Sequence, residues 1–295
     1  MSGFGAVDLH MHSTVSDGTD SPAELLERVK KAGIGLFSLT DHDAIRGCGE
    51  IRSLLKPGDP RFVPGVEFGC RDEQGKYHIL GYGYDPDAEA IRSVVALGHG
   101  YRMKKLRARL DFLKQKFGIF FPEQEERKLL ELPNPGKPHI GNLMVRLGYA
   151  ETKEQAIRDF LNRLRLREDY VRPEQAISGI LEAGGIPVLA HPCYGAGDQL
   201  ILDEALEQRV LRLMDFGLKG LEGWYSGFSE KMSAQVLELA ERHGLYVTAG
   251  SDYHGKNKLV RLGDTGFPAE GPCPEGWERF VQDVVFERGN GYGTL

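Results

Sequence analysis

Short apolar segments alternate with amphipathic helical patterns over much of this sequence, and this alternation restricts the fold more than any other feature. Strands that alternate with helices form mostly parallel sheets. We therefore predict an α/β fold whose sheet closes as a barrel. The third and fourth segments are near enough in sequence to form a hairpin instead. Seven segments have the pattern of strands: Ala6–Leu9, Leu36–Leu39, Phe62–Phe68, Tyr77–Gly83, Ile186–Ala190, Gly220–Tyr225 and Leu245–Ala249.

One of the intervening helices has a clear start and a clear end. Ser21-Pro22-Ala23-Glu24 is a capping box with proline at the first helical position, and it predicts a helix through Lys31. Gly33 ends this helix before the next strand. Similar helices are predicted at about Pro173–Ala183 and Ser229–His243, so these segments support the α/β prediction.

Between the fourth and fifth predicted strands the pattern becomes helical throughout. Helices are predicted at Ile91–Phe117, Ile140–Leu147 and Lys153–Leu164, and no strand is predicted there. We expect residues 86–171 to form a helical insertion that covers the active site, and residues 1–85 and 172–295 to form the barrel.

The first helix of this insertion is strongly basic. Its stretch Tyr101–Lys116 carries Lys and Arg at seven positions against a single acidic residue, Asp111. Such a run is typical of a solvated helix face, and it also fits a contact with a polyanion. Both interpretations are kept.

Composition and charge exclude several classes of function. A net charge of −6 argues against a broad surface for long duplex nucleic acid, but not against a small anionic substrate, because bound cations would reverse the local field. The four cysteines are scattered without a CxxC pair, which argues against a thiolate zinc site or disulfides. The sequence predicts neither a signal peptide nor an apolar run of the roughly 20 residues that span a bilayer. We expect a cytoplasmic protein without a membrane partner.

Histidines and carboxylates mark the predicted strand ends. His10 and His12 lie on the same side of an extended segment, because side chains alternate with a period of two. Asp252 and His254 repeat this spacing. In α/β barrels the carboxyl ends of the strands form the active site. Nine candidate metal ligands are placed in this way: His10, His12, Asp17, His42, Glu67, His78, His191, Asp252 and His254.

Some of these residues have a simpler interpretation when each is taken alone. Asp17 could have the structural role of shaping a turn, and His78 could be a histidine of the core. Converging donors would repel one another or stay unpaired without cations, so the whole set favours metal. Imidazoles and carboxylates without thiolates suit manganese, iron or zinc, and the spacing of the donors does not choose among these metals. Nine donors exceed the needs of one ion, so we predict two to three divalent ions that hold a hydroxide nucleophile.

These motifs resemble the PHP family, named for polymerase and histidinol phosphatase proteins. The resemblance implies a distorted seven-stranded (β/α) barrel with a trinuclear metal site. It implies that His10, His12, Glu67 and Asp252 hold one ion, that Glu67 bridges to a second held by His78 and His191, and that Asp17, His42 and His254 hold a third. The matching segments, in order, are Asp8-Leu9-His10-Met11-His12-Ser13, Ser16-Asp17-Gly18-Thr19, Leu39-Thr40-Asp41-His42-Asp43, Pro64-Gly65-Val66-Glu67, His78-Ile79-Leu80-Gly81, Ala190-His191-Pro192 and Gly250-Ser251-Asp252-Tyr253-His254.

The helical insertion is similar to that of one branch of this family, which includes a nucleoside 3′,5′-bisphosphate 3′-phosphatase and a 5′→3′ exoribonuclease. An Arg-x-His helix start lies over the site in that branch, and here the matching residues are Lys137-Pro138-His139, followed by Asn142. The resemblance implies that Lys137, His139 and Asn142 contact the substrate, and His139 could also protonate the leaving oxygen. Lysine keeps the charge of arginine but loses its bidentate grip on phosphate, and a purely structural helix start is the alternative.

We therefore predict a phosphoesterase that acts on a nucleotide, such as a nucleoside 3′,5′-bisphosphate, or on a short 5′-phosphorylated RNA. Histidinol phosphate and a cyclic sugar phosphate are the alternative substrates. Hydrolysis of a C–N bond, as in amidohydrolases on related barrels, is disfavoured because no predicted strand ends in lysine. A catalytically silent metal-binding domain is disfavoured because no ligand of the family's set is missing.

Overall fold

A single seven-stranded sheet runs through the molecule in the order of the chain. The computed structural model describes residues 4–164, 170–196, 199–268 and 271–287. Neighbouring strands in sequence are also neighbours in the sheet, from the first to the seventh. The strands are β1 (Ala6–Asp8), β2 (Ile34–Leu39), β3 (Arg61–Asp72), β4 (Gly75–Tyr82), β5 (Ile186–Leu189), β6 (Gly220–Tyr225) and β7 (Tyr246–Gly250).

Strand β4 runs against both of its neighbours, whereas the other pairs are parallel. The third and fourth strands therefore form the hairpin that their short separation in sequence allowed. Because β4 is reversed, its first half lies at the end of the sheet where the parallel strands finish. His78 pairs there with Gly69 of β3, and its carbonyl oxygen accepts a hydrogen bond of 2.9 Å from the amide of Ala190.

The two edges of the sheet meet. The amide of Leu9 donates to the carbonyl of Ala249 over 2.8 Å, and the amide of Asp252 donates to the carbonyl of His10 over 2.7 Å. His12 continues the pairing with Tyr253, also at 2.8 Å. These contacts bring the ends of β1 and β7 together, in agreement with the predicted distorted barrel.

Helices connect all strands that follow one another in sequence, except β3 and β4. The capping box predicted at Ser21 is present, since its hydroxyl accepts from the amide of Glu24 and the Glu24 carboxylate accepts from the amide of Ser21. The helices are α1 (Pro22–Lys31), α2 (Arg46–Leu54), α3 (Glu89–Phe117), α4 (Glu123–Glu131), α5 (Lys137–Arg146), α6 (Lys153–Gln155), α7 (Pro173–Glu182), α8 (Asp203–Asp215), α9 (Glu230–Arg242) and α10 (Glu275–Phe280).

The segment between β4 and α7 is helical, as predicted. Its helices have an apolar cluster of their own, which includes Leu110, Ile140 and Leu161, while Ile91 and Val94 at the start of α3 pack into the main core. The helix predicted at Lys153–Leu164 is only partly regular. After α6 it continues as a π-helical turn at Ala156–Phe160 and a 3₁₀ turn at Leu161–Arg163. Residues 165–169, at the end of the predicted insertion, lie outside the described residues.

The apolar content of the helices bears on membrane association. Within the described ranges, no helix is both long enough and apolar enough to cross a bilayer.

Candidate metal centre

All nine predicted ligands converge at one end of the barrel. His10 and His12 follow β1, His42 follows β2, and His191 follows β5. Met11, between the first two, is fully buried on the other side of the segment, as the alternation of side chains requires. The remaining ligands come from the loop after β1, from β3 and β4, and from the segment after β7: Asp17, Glu67, His78, Asp252 and His254.

The buried carboxylate of Glu67 lies at the centre of the cluster. Its Oε1 is 2.7 Å from Nδ1 of His78 and 3.4 Å from Nε2 of His191. Its Oε2 is 3.0 Å from Nδ1 of His42, and 3.2 Å and 3.4 Å from Nε2 of His12 and His10. Each oxygen of one carboxylate thus faces a different group of imidazoles, which is the arrangement of a bridging ligand.

Two further carboxylates complete the cluster. Oδ1 of Asp17 lies 3.2 Å from Nε2 of His254 and 4.0 Å from Nε2 of His42. Oδ1 of Asp252 lies 3.4 Å from Nε2 of His12 and 3.3 Å from Nδ1 of His254. Among the described residues, three sets of donor atoms are compact enough to hold an ion: His12, Asp17, His42 and His254; His10, His12 and Glu67; and His42, Glu67 and His78.

Several buried polar atoms at the centre have no hydrogen-bond partner. They are Nε2 of His10, Nε2 of His12, Nδ1 of His42 and Oδ1 of Asp17. Leaving buried polar groups unpaired costs free energy, and such groups are uncommon in native proteins. Cations among these atoms would satisfy all four, so the donor set fits a metal centre.

The pKa values of the cluster also suit cation binding. Burial raises the pKa of Glu67, but the neighbouring imidazoles His42, His78 and His10 outweigh burial and hold it well below its usual range. The same balance lowers the pKa values of Asp17 and Asp252. Burial lowers the pKa of His78 to about 3, which leaves it neutral and able to ligate.

His10 and His12 behave differently from His78. Burial lowers their pKa values, but the carboxylates around them reverse the effect, and the pKa of His12 rises to about 9. Without a cation these two imidazoles therefore hold protons at neutral pH. A divalent ion would displace these protons, so metal binding should release them.

A layer of carboxylates behind the cluster was not predicted from the sequence. Buried Glu222 accepts from Nδ1 of His10 over 2.8 Å and from the amide of His191 over 2.7 Å, so it fixes the orientation of both ligands. A Cβ at Gly250 would lie 2.4 Å from this carboxylate and 2.2 Å from Cβ of His10, which explains glycine at that position. A lone glutamate in the apolar strand β6 was the available signal.

Asp41 acts similarly on the other side of the centre. Its carboxylate accepts from the Ser13 hydroxyl over 2.7 Å and from the Ser16 hydroxyl over 2.6 Å. Ser16 in turn lies 3.4 Å from Nδ1 of His12. Two serines of the ligand loop are therefore tied to the segment that carries His42.

The backbone is strained next to several ligands. Four non-glycine residues among those described have positive φ, and three of them lie at the centre: Asp43 at 48°, His191 at 29° and Asp252 at 58°. Residues other than glycine rarely adopt a positive φ, and such backbone strain concentrates at functional sites. The strain therefore supports a functional role for this end of the barrel.

A cationic cavity adjoins the cluster at His42 and His78. Its volume is about 220 Å³, and five of its lining side chains are basic: Lys76, Arg102, Lys105, Arg109 and Lys137. Arg102, Lys105 and Arg109 are spaced three and four residues apart on α3 and so share one face. The basic residues of the stretch Tyr101–Lys116 thus lie on different sides of the helix. Three of them line the cavity, whereas Lys104, Arg107 and Lys116 are exposed to solvent.

Contacts hold these basic side chains in place. Arg102 donates to buried Asp43, and the Lys105 ammonium lies 3.2 Å from the centre of the Tyr170 ring. Burial, together with Arg102, lowers the pKa of Lys105 to about 7. Burial, together with Arg109 and Lys76, lowers the pKa of Lys137 to about 8. An anion in the cavity would restore both charges.

A second cavity of about 420 Å³ meets the cluster at His191, Asp252 and His254. Tyr194, Tyr225 and Lys258 line it, and none of them was predicted. The Tyr225 hydroxyl donates to Oδ2 of Asp252 over 2.9 Å, and Lys258 donates to the same oxygen. Pro138 lines both cavities and therefore lies between them.

The three predicted substrate contacts occupy different positions. Lys137 lines the cationic cavity, and its ammonium donates to Asn162 over 2.6 Å. Nδ1 of His139 accepts from the amide of Gly136 over 2.9 Å, which caps α5, and burial lowers its pKa. Asn142 is exposed and donates to Asn257 over 3.1 Å. His139 and Asn142 are not among the residues that line these two cavities.

Comparison with known sequences gives a consistent result. Residues 8–162 match the sequence model of the PHP domain. The chain is 30% identical over 270 residues to a phosphoribosyl 1,2-cyclic phosphate 1,2-diphosphodiesterase of Eggerthella lenta, covering 88% of this chain and 97% of that protein. It is 28% identical to a 3′,5′-nucleoside bisphosphate phosphatase of Chromobacterium violaceum, with coverage of 95% and 98%, and 27% identical to a 5′-3′ exoribonuclease of Haemophilus influenzae, with coverage of 92% and 98%.

A solved structure agrees with these sequence relatives. A predicted metal-dependent phosphoesterase from Bifidobacterium adolescentis superposes with a TM-score of 0.80 at 28% identity. The match covers 95% of this chain and 96% of that protein, so the similarity extends over the barrel and the helices between β4 and α7.

Proposed function

This chain belongs to the PHP domain family and is a metal-dependent phosphoesterase, and from that premise we propose that its substrate is a nucleotide with a second phosphate. The observation that carries the proposal is the cationic cavity beside the cluster. A phosphate monoester needs only the metal centre for its charged oxygens. Five basic side chains in a separate cavity are explained by a further anionic group on the same substrate.

We propose that the cluster holds two to three divalent ions, with manganese favoured. His10, His12, Glu67 and Asp252 would hold the first, and Glu67, His78 and His191 the second. Asp17, His42 and His254 would hold the third. Such ions supply a nucleophile at neutral pH and stabilise negative charge on phosphate oxygens. Two observations support this assignment: each carboxylate oxygen of Glu67 lies beside a different group of imidazoles, and four buried polar atoms at the centre have no hydrogen-bond partner.

The protein's own side chains orient the substrate. Lys105 and Lys137 would bind the second phosphate, and Arg102, fixed by Asp43, would add a planar donor group. We propose that residues 86–171 act as an insertion that covers the site, because Arg102 and Lys137 reach it from there. His139 lines neither cavity, so the phosphate contact that we propose for it would be made beyond them, through Nε2, because Nδ1 accepts from the amide of Gly136.

Substrate comparison tests this proposal directly. Phosphate release should be faster from adenosine 3′,5′-bisphosphate or a short 5′-phosphorylated RNA than from histidinol phosphate or a cyclic sugar phosphate. Lys105→Gln and Lys137→Gln should each raise the KM for the bisphosphate about ten-fold, since each removes a charged hydrogen-bond donor, while the KM for 4-nitrophenyl phosphate changes little. Steady-state kinetics on both substrates measures the difference.

Two control variants sharpen this test. Lys116→Gln is matched, because Lys116 lies on the same helix but is exposed. The pKa of Lys105 is about 7, so its deprotonation should raise the KM for the bisphosphate at higher pH. Lys105→Arg should reduce this rise, because arginine stays charged. The assignment is wrong if histidinol phosphate is the best substrate, or if neither glutamine variant alters the bisphosphate KM.

A further inference from the structure

Aromatic side chains form one wall of the second cavity. The ring centres of Tyr194 and Tyr225 are 6.0 Å apart, and the Tyr225 ring lies 5.3 Å from that of the candidate ligand His191. Phe228 packs behind both, at 5.9 Å from Tyr194 and 5.3 Å from Tyr225. These rings therefore begin at the metal cluster and continue away from it.

The aromatic wall is held in place by hydrogen bonds. The Tyr194 hydroxyl donates to the carbonyl of Gly227 over 2.6 Å, and the Tyr225 hydroxyl is held by Asp252. Both residues line the cavity and both are only partly buried. A rigid, partly exposed ring binds a planar group at little cost in conformational entropy.

The two cavities differ in chemistry. The cationic cavity suits a phosphate, whereas the second cavity is lined by the rings of Tyr194 and Tyr225 together with Lys153 and Lys258. Stacking on aromatic rings beside a few basic groups is how proteins bind single-stranded nucleic acid. A substrate with one phosphate over the cluster would reach the first cavity with one substituent and the second cavity with the other.

We propose that Tyr194 stacks on the nucleobase of the nucleotide that follows the scissile phosphate in a 5′-phosphorylated RNA. This inference rests on the proposed function, because it places the 5′-phosphate in the cationic cavity. Water adds to phosphorus and the P–O3′ bond breaks. The first nucleotide leaves with a 3′-hydroxyl that carries a proton from the water, and the second nucleotide keeps the phosphate as its new 5′-phosphate.

Cleavage of the P–O3′ bond, which leaves the phosphate on the second nucleotide, has a consequence for the next round. The product of one cleavage carries the same 5′-phosphate that the cationic cavity binds in the next. A subsite for the following base thus adapts the enzyme to successive removal of nucleotides, whereas a bisphosphate leaves the aromatic cavity without a base.

The test compares two 5′-phosphorylated dinucleotides, one complete and one that lacks the second base. Stacking on one ring is worth about 1–3 kcal/mol, so the wild type should favour the complete dinucleotide in kcat/KM by about 5- to 150-fold. Tyr194→Leu should reduce this ratio to about one. Tyr194→Phe keeps the ring and should retain the ratio, and Phe120→Leu, which removes an exposed ring outside both cavities, should match the wild type.

A binding measurement separates stacking from turnover. A dinucleotide with 2-aminopurine as its second base, and with a methylene group in place of the bridging O3′, cannot be cleaved. Its fluorescence should be quenched on binding to the wild type and to Tyr194→Phe, and much less on binding to Tyr194→Leu.

The outcomes distinguish the subsite from the function on which it rests. If the bisphosphate is hydrolysed but Tyr194→Leu leaves the base preference and the quenching intact, the subsite is wrong and the proposed function stands. A wild type that does not distinguish the two dinucleotides also overturns the subsite. If neither the bisphosphate nor any dinucleotide is hydrolysed, the proposed function itself fails.

Discussion

Glu67→Gln should reduce turnover by more than about 100-fold. Loss of a residue that only orients a metal ligand typically costs about 10- to 100-fold, and Glu67 is itself a proposed ligand. One carboxylate faces five imidazoles, with His78 on one oxygen and His42 on the other. An amide of the same size keeps the volume but loses the charge and one acceptor oxygen. The centre should then hold fewer ions. Steady-state kinetics and elemental analysis of the same preparation measure both effects.

Two other glutamates provide controls for this variant. Glu73→Gln is the same substitution on the same hairpin, but Glu73 is an exposed partner of Arg172, so activity should stay near that of the wild type. Glu222→Gln should fall between them, with a loss of about 10- to 100-fold, because Glu222 orients His10 without being a proposed ligand. Near-normal turnover of Glu67→Gln would show that the centre is misassigned.

Arg102→Met should lower the free energy of unfolding by about 3 kcal/mol, because it leaves the buried carboxylate of Asp43 without its cation. Asp43 is 4% exposed, has a φ of 48°, and follows His42 directly. Helix α3 packs closely against Asp43, since a Cβ at Gly98 of this helix would lie 2.7 Å from Oδ1 of Asp43. Urea denaturation measures the loss.

The matched control for this stability prediction is Arg172→Met. Arg172 is an exposed arginine paired with Glu73 and Glu174, and exposed pairs contribute at most about 1 kcal/mol. Equal losses for the two variants would contradict a special contribution of the buried pair. A partial recovery of stability in the double variant Asp43→Asn, Arg102→Met would support it, since no charge is then left unpaired.

Local patterns made the barrel and its ligand candidates predictable. Alternation around Met11 placed His10 and His12 on one side, and the apolar segments marked the seven strands. Asp17 and His78 were ambiguous as single residues, and only the assembled barrel brings them into contact range of the other donors. Helices α2, α4, α8 and α10 were missed, and none of them has the side-chain cap that marks the start of α1.

Contacts between distant parts of the chain were beyond local patterns. Glu222 and His10 are 212 residues apart, so nothing near either residue indicates their hydrogen bond. Tyr194, Tyr225 and Lys258 border the second cavity only because segments that are far apart in the chain meet there. The basic stretch on α3 was ambiguous by composition, but the spacing of Arg102, Lys105 and Arg109 could have identified the face that lines the cavity.

Counting bound ions tests the metal centre most directly. The chain should be stripped with a chelator, loaded with manganese, freed of excess ion and analysed for metal, with phosphate release from adenosine 3′,5′-bisphosphate followed in parallel. Nine converging donors, four of whose atoms are buried without partners, predict two to three ions per chain and activity only in the loaded protein. At most one bound ion after loading, or full activity in the stripped protein, would contradict the proposed centre.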